Sequence, residues 1–150
     1  MSHVPYVYKL YSSTRYTFVS IGKTRIEKVV EFMPTGITNV INLGFGDLLP
    51  DSSIDYITVS DNGDMIKVLA TVVDIVKHFT MLHPESIVYF TGSTSERTKL
   101  YTRILKTYYP IFNKVFRIYG IIKVGNDWKS ILFEPVPAAD FWAFLIKRIN

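Results

Sequence analysis

The stretch from Asp61 to Phe116 constrains this chain most, because it reads as a helix, a strand and a second helix in close succession. From about Gly63 to Phe79 apolar residues fall on nearly every side, at Met65, Ile66, Val68, Leu69, Val72, Val73, Ile75, Val76 and Phe79. Only Lys67, Thr71, Asp74 and His78 interrupt them, and on a helix these four form one narrow polar stripe. Such a helix must be covered on most sides. His83-Pro84 stops it, since proline has no N–H for the ladder and turns the residue before it away from helical geometry. Ser86 to Thr91 then supplies a short strand, apolar enough for the middle of a sheet, and Gly92 ends it.

The rest of the chain provides partners for that block. Tyr6 to Leu10 suits an edge strand or an ordered arm. Tyr16 to Ile21 alternates, Gly22-Lys23 turns, and Arg25 to Phe32 alternates again, with Ile26, Val30 and Phe32 on one face, which predicts an antiparallel hairpin. Val40 to Phe45 predicts a third strand. Its Gly44 and Gly46 leave room for another backbone, a bulge or a ligand. Leu48 to Val59 reads as a loop dipping back onto the core. Arg117 to Val124 and Trp128 to Phe133, joined by Gly125-Asn126-Asp127, predict a second hairpin. Ala139 to Ile149, after Pro135 and Pro137, reads as a short helix. The expected fold is therefore α+β (mixed α/β): a single domain with a largely antiparallel sheet, two long helices and a short C-terminal helix.

A chain of 150 residues, 48% hydrophobic, suits one well-buried core. The absence of cysteine removes disulfides, thiol nucleophiles and thiolate metal sites, and it fits a cytoplasmic setting. No signal peptide or membrane-spanning run is apparent. Charge is uneven: residues 1–96 carry 7 basic and 10 acidic side chains, whereas residues 97–150 carry 10 basic and 3 acidic. The positive field belongs to the last third.

Candidate chemistry clusters at the start of the second helix. Ser93, Thr94, Ser95, Arg97 and Lys99 would bring hydroxyls, free backbone N–H groups and two cations to the end of a strand, where a small anion could bind. Ser93 to Glu96 also reads as a capping box, with Ser93 as the cap and Glu96 reaching back to its amide. Arg97, Lys99, Arg103 and Lys106 form a candidate basic face, from which at most weak, nonspecific nucleic-acid binding is expected. His78 and His83 are five apart across a helix end, the wrong spacing for a helical metal pair, so no metal is expected. No catalytic triad, phosphate loop or dinucleotide fingerprint is present, and no cofactor or catalytic residue is assigned.

Three blocks together, Asn42 to Asp47, Asn62-Gly63-Asp64 with Lys67 to Val72, and Phe90 to Thr94 with Arg97 to Tyr101, resemble a family of small uncharacterised proteins, chiefly from Bacteroidetes. That resemblance implies a domain of unknown function. The order of elements is also similar to that of GNAT-type acyltransferases, whose cofactor pyrophosphate meets the start of the first long helix at a Gln/Arg-x-x-Gly-x-Gly/Ala loop. This chain has Ser60-Asp61-Asn62-Gly63-Asp64 there, and Tyr101 or Tyr108 would stand where such enzymes place a general acid. The leading expectation is a cytoplasmic binding or interaction module on a GNAT-like scaffold. A divergent acyl-CoA-dependent N-acyltransferase and a component of a bacterial conflict or toxin-antitoxin locus are the alternatives. The wide apolar arc of the C-terminal segment adds the expectation of a homodimer with Trp142 or Phe144 in the contact.

Overall fold

The computed structural model describes residues 4–56, 62–92, 94–135 and 140–149. Among them are nine strands, mostly antiparallel, and three helices, two of them long, so the fold class is α+β. No helix among the described residues is long and apolar enough to cross a membrane. The chain divides into two compact units, each drawn from two stretches of sequence: Met1–Met33 with Leu43–Leu82, and Pro34–Asn42 with His83–Asn150.

In the first unit, β1 (Tyr8–Leu10), β2 (Arg15–Ile21) and β3 (Arg25–Pro34) run antiparallel in that order, with Tyr16 opposite Val30 and Phe18 opposite Lys28. The expected hairpin is therefore present. Helix α1 (Met65–Leu82) ends just before His83-Pro84 and lies on the face of β2 and β3 that carries Tyr16 and Phe32. Phe32 and Phe79 stack with centroids 3.9 Å apart, the closest aromatic contact between sheet and helix. The polar stripe of α1 points inward. His78 bonds Tyr16 and Thr71 bonds the backbone of Tyr6, so the stripe is the seat of the N-terminal arm.

Strand β4 (Val40–Leu48) continues from the second unit into the first. The segment expected as a loop contains a short strand, β5 (Ile54–Asp55), antiparallel to β4, while residues 57–59 lie outside the described residues. Gly46 explains the return: a Cβ there would stand 2.5 Å from the carbonyl oxygen of Asp55, so only glycine lets the two backbones close. Of the uses that alternating glycines allow, this one is backbone approach.

In the second unit β4 pairs in parallel with β6 (Ile87–Phe90) over Val40 to Asn42. A parallel pair needs a long connection, and α1 lies in the intervening chain. β6 is followed by α2 (Ser95–Thr107) and the single-turn α3 (Tyr109–Phe112). The second helix thus stops earlier than a run to Phe116 implies. Pro110 would leave an unfilled position inside a continuous helix, and it is accommodated in the first turn of a new one.

The main correction concerns the C-terminus. No helix spans residues 140–149; Ala143–Arg148 is a strand, β9, inserted between β6 and β7 (Phe116–Val124), and β7 pairs with β8 (Asp127–Leu132). A strand bonded on both edges and packed on its faces loses the apolar-polar alternation that would mark it, and periodicity alone does not separate such a run from a buried helix. Phe144 and Ile146 are buried with Val88, Phe116 and Ile118 on one face of this sheet. Phe141 fills the space above Gly120, where a Cβ would meet its ring at 2.2 Å.

Candidate functional site

At the start of α1, where a GNAT-type enzyme would hold pyrophosphate, Asn62 and Asp64 are bonded to side chains and backbone of the chain itself. Asn62 is buried; its side chain donates to Ser20 Oγ and the Thr24 carbonyl and accepts from Thr24 N. Its own carbonyl accepts from Lys23 N in the β2–β3 turn. Asp64 receives two short hydrogen bonds of 2.6 Å, from Ser20 Oγ and Tyr6 Oη. Burial alone would raise the Asp64 carboxyl, but those two donors outweigh it and hold it below the usual range. A carboxylate fixed at the helix N-terminus occupies the electrostatic place an anionic ligand would take.

Further along α1, Tyr16 Oη and His78 Nδ1 lie 2.7 Å apart, and Tyr8 packs edge-on against both rings. Burial, with the proximity of Tyr8 second, pushes the Tyr16 hydroxyl up to about 12. Burial and then the charge of Asp74 raise Tyr8. In β3, Lys28 is buried and paired with Asp47 of β4 at 2.5 Å. These groups tie strands to helix and to one another. Among the described residues, no three His, Asp or Glu side chains come together as a metal cage.

At the start of α2 the cap is Thr94, whose hydroxyl accepts from Arg97 N. The cap therefore lies one residue later than expected and Glu96 does not hold the capping-box position: Arg97 stands third after the cap, and Ser93 lies outside the described residues. Thr98 completes the turn, its hydroxyl accepting from Gly92 N and donating to the Thr94 carbonyl. Thr94, Ser95 and Lys99 are exposed, and Arg97 is half-buried. Of the expected basic face, Lys99, Arg103 and Lys106 share one side of α2, while Arg97 falls about half a turn away. Tyr101 packs edge-on against Phe90, and its burial raises its hydroxyl pKa, so it serves the core.

The two residues expected at a dimer contact separate. Phe144 is fully buried against Phe90, Phe133 and Phe141 of its own chain, which leaves its ring no surface for a second copy. Trp142 is 60% exposed and meets Trp128, itself 51% exposed, with ring centroids 5.4 Å apart. The ammonium of Lys123, directly across the β7–β8 ladder, sits 5.6 Å from the Trp128 centroid. The chain thus presents both of its tryptophans and a cation as one surface cluster. Trp128 carried no sequence signal beyond its place in an alternating strand, and it meets Trp142 only because β9 lies beside β7.

A family model described as "Family of unknown function (DUF6934)" matches residues 3–149. No curated protein and no solved structure matches the chain.

Proposed function

We propose, from the premise that the chain belongs to this family of unknown function, that it is a small bacterial, cytoplasmic binding module on a GNAT-like scaffold that does not take acyl-CoA. The order of strands, long helix, strand, helix and hairpin supports the scaffold. The observation that carries the reading is the Asp64 carboxylate at the α1 N-terminus, held by bonds from Ser20 and Tyr6 beside the buried Asn62. Placing a pyrophosphate there would mean breaking those bonds and setting like charges together. Thermal unfolding with acetyl-CoA and longer acyl-CoAs tests this directly. A ligand present at a hundred times its dissociation constant adds about 2.7 kcal/mol of stability. No saturable shift is expected, and a clear one would overturn this reading and favour the acyl-CoA-dependent alternative.

A further inference from the structure

The sheet of the second unit has a face that α2 and α3 do not cover. On it the ladder places Lys123 opposite Trp128, Ile121 opposite Ser130 and Tyr119 opposite Leu132, with Arg117 opposite Lys147 at the far end. Lys123 and Arg117 are six residues apart in one strand, roughly 20 Å at the strand rise. The charged side chains at these ladder positions are cations, and the pairing continues through the bond from Phe133 N to the Ile118 carbonyl, so that the exposed Glu134 follows next to Arg117. Arg117 and Lys147 are set directly opposite one another, and like charges so placed repel. Lys147 bonds the Pro84 carbonyl and reaches Glu85 at 4.0 Å, but Glu85 is largely exposed, so its charge is well screened there. At the other end stands the Trp128–Trp142 pair, two large apolar rings half in water.

We infer that this face binds single-stranded nucleic acid, with unpaired bases stacking on Trp128 and Trp142 and the phosphates running over Lys123 towards Arg117. Exposed aromatic rings on a sheet, interleaved with cations, are what such a ligand needs: the rings take any base and the cations follow the backbone. A duplex hides its bases within the stack and would meet only the charges. The surface is distinct from the α2 basic face, where only weak association is expected. The inference rests on the binding-module reading, yet the two fail separately, since acyl-CoA stabilisation bears on the first unit's helix start and not on the tryptophans.

Because the chain has only two tryptophans and both lie here, its intrinsic fluorescence reports this site alone. A short oligothymidylate titrated into the full chain at low salt should quench that emission saturably, with affinity falling as salt rises. Trp142→Ala should weaken binding about tenfold or more, while Trp142→Phe, which keeps a ring, should retain most of it. Lys123→Ala should reduce the salt slope by about 0.7, and Lys99→Ala with Arg103→Ala on α2 should change nothing. Inorganic polyphosphate, which offers charge without bases, should bind more weakly and leave the emission unchanged. Should Trp142→Ala fold poorly, Trp128→Ala decides in its place. Absent quenching at low salt, equal binding of polyphosphate, or a concentration-dependent dimer that buries both indoles would each overturn the inference.

Discussion

The two units solve the same problem with different materials. In the first, the contact between sheet and helix is threaded with polar groups: Tyr16 with His78, Ser20 and Tyr6 with Asp64, and Lys28 with Asp47 between strands. In the second, Phe90, Phe133, Phe141 and Phe144 pack ring to ring, and the sheet meets the helices through Phe90 with Tyr101 and Phe133 with Tyr109. The lesson is where to look for function. Groups already satisfied by one another specify a structure, whereas the exposed indoles of the second unit, with Lys123 beside them, offer rings and a charge at the surface.

The largest expected effect sharpens this contrast. Phe144→Ala removes the ring on which three others pack and should cost about 3–5 kcal/mol in urea unfolding. A loss below about 1 kcal/mol would mean that the aromatic cluster does not hold the second unit. Asp47→Ala should cost roughly 3 kcal/mol, because it removes a paired carboxylate from the buried Lys28, while joint replacement by Lys28→Met and Asp47→Leu should recover most of the loss. If the double variant were as unstable as the single one, the pair would be doing more than neutralising itself.

The smallest effect depends on pH. The Asp64 carboxyl is held below its usual range in the folded chain, so its stabilisation is present above the unfolded value of about 3.9 and is lost as pH falls through the lower folded one. Melting temperatures of the parent and Asp64→Asn should therefore differ near neutrality and converge in acid. A difference constant across that range would show that the charge of Asp64 does not contribute.

What could be read in advance follows the same division. The β2–β3 hairpin, α1 and the β7–β8 hairpin announce themselves through local pattern, because each satisfies its own periodicity and its own turn chemistry. Even the polar stripe of α1 was visible, although only the fold shows that Tyr6, Tyr8 and Tyr16 are what it faces. The strand Ala143–Arg148 was not visible, since an apolar run of that length satisfies a helix as well as a strand and its partners β6 and β7 are remote in sequence. That one misreading also hid the candidate site. With a helix at the C-terminus Trp142 has no reason to meet Trp128, and Phe144 appears as a surface residue when it is in fact part of the core.

The central claim is that both tryptophans stand in water beside the Lys123 ammonium. Collisional quenching of their emission by iodide and by caesium in the unliganded protein tests it most directly. Red-shifted emission quenched strongly by iodide and weakly by caesium is the result this structure predicts. Blue-shifted emission indifferent to both ions, or quenched more by caesium, would contradict it.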